Sequence, residues 1–227
     1  THPDRIVSCG AYTPYIYPPS NVDKFTPNVA VFIGNSGRPL FDDPVKWNKY
    51  KARVEGWKKK VAKGMIMRVE NNRYSLHGMD KNGKIKFPVI HPRNMAKDLK
   101  YLNGFCLGEA NAESQKRGWT APGCDHLPLY VNARFLWDAD QDIEKVLAEY
   151  YEKFYGPAAR EMEKALEFAQ ANYNRTSRSK KRGKVSPVLV SLPVRIKFAE
   201  LLNNAREKAG DTIYGKRIQV IIDELVP

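Results

Sequence analysis

Several features are absent from this chain of 227 residues. No apolar run approaches the about 20 residues that a membrane-spanning helix needs. The first residues, THPDRIVS, carry no signal-peptide pattern. A secreted protein whose signal peptide had been removed would show the same absence. Cys9, Cys106 and Cys124 show no CxxC spacing, and their odd number indicates neither a zinc site nor a full disulfide framework. We expect Cys9 and Cys106, which lie in apolar runs, to be buried thiols.

The histidines also lack a pattern typical of metal binding. His77 and His126 have no metal-ligand spacing, and His91 precedes a proline before a helix, which indicates a structural role. No helix-turn-helix, zinc-finger or RNP-type motif is present. We therefore expect no metal and no cofactor, and we do not expect sequence-specific nucleic-acid binding.

Positive charge is abundant, with 38 lysines and arginines and a formal net charge of +13. Such a balance suits polyanions, namely nucleic acid, anionic lipid or acidic polysaccharide. Part of the excess lies in RTSRSKKRGK, residues 175–184, which we interpret as a solvated loop. A basic surface that merely aids solubility would explain the charge equally well.

The first half of the chain alternates short apolar runs with helical patterns. Strands are predicted over residues 5–11, 28–34, 65–69 and 104–107 because these runs are short, apolar and bounded by Gly or Pro. A helix is predicted over residues 47–61, and Met95, Leu99 and Leu102 indicate another. Strands that alternate with helices predict βαβ units and a parallel sheet.

From about Leu127 onward only helical patterns occur. Residues 130–159 predict two helices that meet at a corner, with Asp140 and Asp142 placed where the helix dipole favours negative charge. Gly156 is expected to end the second helix in a left-handed conformation and Pro157 to begin the next. An apolar stripe marks the second helix and is formed by Ile143, Val146, Leu147, Tyr150, Tyr151 and Phe154.

The Pro- and Gly-containing segment 118–128 is the predicted boundary between two domains, 1–122 and 123–227. Four parallel strands are only half of a (β/α)8 barrel, which needs roughly 250 residues. The predicted fold class is therefore α/β, with the C-terminal half of a TIM-type barrel followed by an all-α helical domain. We expect the chain to be the C-terminal portion of a larger protein.

The segment ARFLWDADQDIEKVLAEYYEKFYGPAA closely resembles a signature of the bacterial domain-of-unknown-function 4838 family. The similarity extends to further segments on both sides of this signature, and they occur in the same order as in the family. These segments are RIVSCGAY, NVAVFIGN, MIMRVENN, HPRNMAKDLKYLNGFCLGEAN and GDTIYGKRIQVIIDEL. The resemblance implies a glycoside-hydrolase-like barrel related to α-glucuronidases and β-hexosaminidases. It also implies a secreted or periplasmic protein, and it means that the first four barrel strands are absent from this chain.

In a β/α barrel the functional groups lie at the C-terminal ends of the strands. Glycoside hydrolysis uses two carboxyl groups, and the candidates at these ends are Glu109 and, more weakly, Glu70. Either could instead be structural, with Glu70 paired to Arg68. The candidate substrate-binding residues are Tyr12, Asn35, Arg68, Asn71, Asn111 and Trp119.

Tyr15 and Tyr17 share the loop of Tyr12, and these rings could stack on sugars or pack on the barrel rim. Arg93 and Lys116, with Arg68, are candidates for binding a carboxylate or sulfate on a substrate.

The leading hypothesis is a glycoside-hydrolase-like protein that acts on polysaccharide, with an acidic uronic or sulfated glycan as a candidate substrate. Its partners would be carbohydrate and the absent N-terminal half of the barrel, with no membrane. One alternative is a non-catalytic carbohydrate-binding or scaffold protein. A second alternative is polyanion or nucleic-acid binding through the basic surface.

Overall fold

The structure, a computed structural model, describes residues 4–12, 14–34, 41–62, 66–70, 87–111, 121–178 and 190–225. For residues 67–70, 110–111 and 174–178 it describes the backbone alone. The elements are β1 (Val7–Ala11), β2 (Val29–Ile33), α1 (Pro44–Lys58), β3 (Ile66–Glu70), α2 (Pro92–Leu102), β4 (Cys106–Asn111), α3 (Pro122–Trp137), α4 (Ile143–Tyr155), α5 (Ala159–Arg178), α6 (Leu192–Ala209) and α7 (Ile213–Glu224).

The four strands form one parallel sheet in the order β1-β2-β3-β4. This confirms the predicted α/β class and the parallel sheet. One row of paired residues crosses all four strands and consists of Ala11, Ile33, Arg68 and Glu109. The pairing of β3 with β4 shifts by one residue, so that Leu107 is an extra residue in β4.

Helix α1 covers one face of the sheet. Val31, Ile33 and Ile66 of the strands share a core with Tyr50, Val54 and Trp57, which recur at helical spacing along α1. The helix begins after Asp43, whose carboxylate accepts hydrogen bonds from the backbone amides of Val45 and Lys46.

The segment between β1 and β2 packs against α1. The indole of Trp57 donates a hydrogen bond of 2.9 Å to the carbonyl of Ile16, and its ring stacks on Phe25. A methyl group at Gly56 would lie 3.1 Å from Cγ of Pro18, so this segment and α1 are in close contact.

Strand β1 lies at the sheet edge, and most of it is exposed. Val7 is 56 % exposed, and Cys9 is exposed as well. The prediction of a buried thiol at Cys9 is therefore wrong, because no described element covers the first four residues of this strand. Cys106 is half-buried and Cys124 is buried.

A second, larger core joins α2 to the remaining helices. Met95, Ala96 and Leu99 of α2 lie in this core, whereas Leu102 at the end of α2 lies in the core beneath the sheet. Helix α2 therefore connects the sheet with the helical part. Among the described residues, no helix is long and apolar enough to cross a membrane.

The predicted corner between α3 and α4 is present. The side-chain amide of Gln141 donates to the carbonyls of Arg134 and Asp138 at 2.7 and 2.8 Å, and its oxygen accepts from the Arg134 guanidinium. Asp142 caps α4 through the amide of Glu144. The predicted stripe is buried or half-buried along α4, which confirms the helical periodicity.

Gly156 ends α4 with a φ of 52°, as predicted, and Pro157 lies in a short 3-10 turn before α5.

Helix α7 stabilises the beginning of α3. The Glu224 carboxylate accepts hydrogen bonds from the amides of Gly123 and Cys124 at 2.7 and 2.9 Å. Ala121, at the N-cap position of α3, offers no capping side chain, and the first amides of a helix lack partners within it. Residues 122–128, predicted as part of a domain boundary, thus form the first turns of α3.

Candidate functional site

The sheet register brings four of the eight predicted site residues together. Arg68 pairs with Glu109, and Glu70 pairs with Asn111, at the C-terminal ends of β3 and β4. Neighbouring strands lie about 4.8 Å apart, so these four backbone positions form a compact group. Ligands of open parallel sheets bind at this end of the strands.

Glu109 is half-buried, and its carboxylate is tied to α3. The side-chain amide of Asn132 donates to Oε1 of Glu109 at 2.9 Å. Paired residues on neighbouring strands point to the same sheet face, and Ala11 and Ile33 of the same row lie in the core beneath α1. Glu109 therefore stands on the helix-covered face, and it connects the end of β4 to α3.

Asn132 was not among the predicted residues. It is 3 % exposed and lies on the buried face of α3, which otherwise carries Leu127, Val131 and Phe135. A polar side chain within an apolar stripe needs a buried partner. An asparagine within the apolar stripe of α3 therefore indicates a buried hydrogen bond. This pattern could have identified Asn132 from the sequence, although it does not identify Glu109 as its partner.

Tyr12 follows β1 and lies over the end of β2. A methyl group at Gly34 would lie 2.8 Å from Cδ2 of Tyr12, and the Gly34 amide donates to the Ala11 carbonyl at 3.1 Å. The ring is nevertheless 54 % exposed, and Tyr15 and Tyr17 are exposed as well. The Tyr12 ring at this edge presents a flat apolar face and a hydroxyl group, which suit a sugar.

Three predicted residues, Asn35, Asn71 and Trp119, lie outside the described residues, as do His77 and Lys116. Most of the predicted basic loop, residues 179–184, lies outside them as well. His91 is buried at the start of α2, where a structural role was expected.

Arg93 binds two carboxylates of the protein itself. Its guanidinium donates to both Glu144 oxygens at 2.7 and 2.8 Å and to Oε1 of Glu167 at 2.7 Å. The hydrogen bonds to Glu144 and Glu167 raise the pKa of Arg93, although partial burial opposes this effect. These donors link α2 to α4 and α5, and binding of an anionic substrate group by Arg93 stays a prediction.

Metal binding finds no support in the described part of the chain, where no three side chains of His, Cys, Asp or Glu cluster in a way that could hold an ion.

The family model named "Domain of unknown function (DUF4838)" matches residues 1–166. This range covers most of the chain, and the chain therefore belongs to that family. Comparisons with curated proteins and with solved structures gave no match. The matched range ends within α5, yet α6 and α7 pack in the same core as α3, α4 and α5.

Proposed function

We propose that the chain supplies half of a glycoside-hydrolase-like β/α barrel that acts on polysaccharide, with an acidic glycan as the substrate class. The observation that carries this proposal is the arrangement of the sheet. Sequential strands are parallel neighbours in the order β1-β2-β3-β4, and the candidate residues Arg68, Glu70, Glu109 and Asn111 share its C-terminal edge.

The strand order favours a barrel over a doubly wound sheet. In doubly wound sheets the order reverses at a switch point, whereas barrel strands follow one another around the sheet. The four described strands show no reversal. This supports the assignment to a TIM-type architecture.

The exposed edges fit a sheet that continues in another part of the protein. Val7 on β1 and Leu107 on β4 are 56 % and 50 % exposed. At the end of α3, the helix that follows β4, Trp137 is 93 % exposed beside the exposed Leu136. Parallel sheets are almost always covered on both faces. The proposed partner of these surfaces is the N-terminal half of the barrel, in a secreted or periplasmic protein.

The strand positions of the two candidate residues are compatible with glycoside hydrolysis. Glu70 stands one strand away from Glu109 and two residues beyond its paired position, which places the two Cα atoms about 8 Å apart. Two glutamates at this Cα separation can bring their carboxyl groups to the about 5 to 10 Å that glycosidases use. One would protonate the leaving oxygen and the other would act as base or nucleophile, with Tyr12 stacking on a sugar ring. Because Glu109 stands on the helix-covered face, this role requires its carboxylate to turn over the strand end toward the barrel mouth.

A specific contact favours the second candidate function, a non-catalytic carbohydrate-binding scaffold. The hydrogen bond between Asn132 and Glu109 gives this carboxylate a structural role on the helix-covered face. In that case the sugar-binding function would lie with Tyr12 at the strand ends, and Glu109 would only position α3.

Hydrolysis of uronic-acid polysaccharides by the full protein tests the proposal, with release of reducing ends as the measurement. Glu109→Gln keeps an oxygen that accepts the Asn132 hydrogen bond but removes the charge. We expect turnover to fall at least about 100-fold in Glu109→Gln and in Glu70→Gln, with an unchanged unfolding midpoint. Glu152→Gln, on the exposed side of α4, is the matched control.

If both strand-end variants hydrolyse as the unchanged protein does, the catalytic assignment is wrong. If the unchanged protein binds these glycans without hydrolysing them, the scaffold function is favoured.

A further inference from the structure

Three helices meet at the aromatic ring of Phe154, near the end of α4. The imidazole of His126, on α3, stacks on this ring with the two centroids 4.0 Å apart. The guanidinium carbon of Arg217, on α7, lies 4.4 Å from the same centroid and 5.8 Å from that of Tyr214. All of these side chains are half-buried. The contacts join His126, Phe154, Tyr214 and Arg217 into one group at the surface of the helical part, which we call the Arg217 cluster.

Arg217 uses little of its capacity to form hydrogen bonds. Its Nη1 donates to the Phe154 carbonyl at 2.9 Å and so satisfies a carbonyl in the last turn of α4. A guanidinium has five N–H donors, and within the described residues this is the one hydrogen bond that Arg217 makes. Contact with the faces of aromatic rings uses none of the donors, because they lie in the plane of the guanidinium. Most of the donors of Arg217 are therefore available to a ligand.

Arg217 differs from other half-buried arginines of the helical part in having no carboxylate partner. Nη1 of Arg134 lies 3.4 Å from a carboxylate oxygen of Glu149. Nη2 of Arg206 lies 3.2 Å from Oδ1 of Asp211. Among the residues that the structure describes, Arg217 forms no ion pair. A guanidinium that is partly removed from water and lacks a counter-ion favours the binding of an external anion.

His126 provides a second donor beside Arg217. Its Nδ1 lies 3.1 Å from the Tyr150 hydroxyl, which leaves Nε2 for a ligand. Nε2 of His126 and the remaining donors of Arg217 are not among the enclosed polar atoms that lack a partner, so they face solvent. Burial and the charge of Arg217 lower the pKa of His126. An anion bound beside both side chains would offset the effect of that charge and favour the imidazolium, which donates through Nε2.

We propose that the Arg217 cluster binds the carboxylate of a uronic-acid sugar, at a site separate from the strand ends. The fork of Arg217 matches a carboxylate through two parallel hydrogen bonds, Nε2 of His126 donates a third, and the Tyr214 ring packs against the sugar. One guanidinium and one imidazole suit a single carboxylate better than the repeated phosphates of nucleic acid. The choice of a sugar rests on the proposed function, whereas the anion site rests on the contacts alone.

The binding of glucuronate to the full protein tests this site, with the NMR signals of the His126 ring as the local measurement. The chain has four histidines, and His126→Gln identifies which signals belong to His126. Glucuronate should shift these signals, whereas glucose, which lacks the carboxylate, should not. Acetate and inorganic phosphate, which lack the sugar ring, should bind at least about threefold more weakly than glucuronate.

Arg217→Lys separates ligand binding from the capping of α4. Lysine keeps the charge and can donate to the Phe154 carbonyl, but it lacks the planar fork. We expect Arg217→Lys to keep the unfolding midpoint and to bind glucuronate at least about fivefold more weakly, and Arg217→Gln to bind it at least about tenfold more weakly. Lys216→Gln, at an exposed neighbouring position on α7, is the control for charge and should change binding by less than about twofold.

Three results would overturn the proposal. The first is that glucuronate leaves the His126 signals unchanged. The second is that calorimetry finds the same affinity for glucuronate in Arg217→Lys as in Lys216→Gln, since a purely structural role of Arg217 would give this result. The third is that acetate or inorganic phosphate binds as tightly as glucuronate, because the site would then not recognise a sugar.

Failure of this site can be distinguished from failure of the proposed function, because hydrolysis is measured separately. Glucuronate binding that depends on Arg217, in a protein that does not hydrolyse polysaccharide, supports the site and contradicts the catalytic assignment alone. Hydrolysis that depends on Glu109, together with glucuronate binding that does not depend on Arg217, contradicts this site alone.

Discussion

Replacement of Gly156 by alanine tests how tightly α7 is joined to the corner between α4 and α5. Gly156 has a φ of 52° and a ψ of −119°, a conformation that costs other residues about 1–3 kcal/mol. An added methyl group would also lie 2.6 Å from Cε2 and 2.7 Å from Cζ of Tyr214. Because overpacking of this kind costs about 1–3 kcal/mol, we expect a total loss of about 4 kcal/mol in the free energy of unfolding.

Gly210 provides the matched control. It has a similar backbone conformation, with a φ of 59° and a ψ of −156°, but a methyl group there would meet no atom within 4 Å. Gly210→Ala should therefore cost only the backbone strain, about 1–3 kcal/mol. The difference between the two variants measures the contact with Tyr214.

Urea unfolding of the two single variants, of Tyr214→Ala and of the double variant provides the assay. In the Tyr214→Ala background the cost of Gly156→Ala should fall to that of Gly210→Ala, because the ring is no longer present. An undiminished cost in that background would refute the contact. Since Gly156 lies within residues 1–166 and Tyr214 beyond them, the coupling also measures whether α7 folds together with the family region.

Two further predictions concern charges in the helical part. Burial and the nearby Arg217 lower the pKa of His126 in the folded protein. As the pH falls below about 6.5, the unfolded chain therefore binds a proton before the folded protein does. The free energy of unfolding should decrease over this pH range. His126→Gln should lose less unfolding free energy between about pH 7.5 and pH 5 than the unchanged protein, and an equal loss would contradict this assignment. Arg93→Lys, which breaks the bidentate contact with Glu144, should lower the unfolding free energy by about 1 kcal/mol. Lys153→Gln, in an exposed pair, should cause no measurable change, and a similar loss in both variants would contradict the special role of Arg93.

The sequence predicted those elements whose signals are local. The stripe of residues 143–154 and Gly156 predicted α4 and its end, because burial of one helix face and the left-handed stop both act within a few residues. The short apolar runs predicted the parallel strands for the same reason, with bounds that differ by at most four residues.

Contacts between distant segments were not predictable in this way. The Glu224 carboxylate caps α3 from 100 or more residues away, and Gly123 is required there because a methyl group would lie 2.9 Å from Cγ1 of Ile221. Local composition alone favours a boundary segment at Pro122, Gly123 and Pro128. Proline is favourable in the first turn of a helix, and the packing of α7 explains the glycine.

At the candidate site, the sequence predicts the strand position of Glu109 but not the sheet face on which its side chain lies. Regular alternation from Cys106, which packs in the core beneath the sheet, would place Glu109 on the opposite face. The extra residue Leu107 reverses this assignment, since Gly108 then pairs with Met67 and Glu109 with Arg68. Glu109 is thereby brought to Asn132. The rule that functional groups lie at the ends of barrel strands thus identified the position of Glu109. The extra residue Leu107 determines the sheet face on which its side chain lies. Any catalytic role for Glu109 requires that a glycan reach the carboxylate beside Asn132.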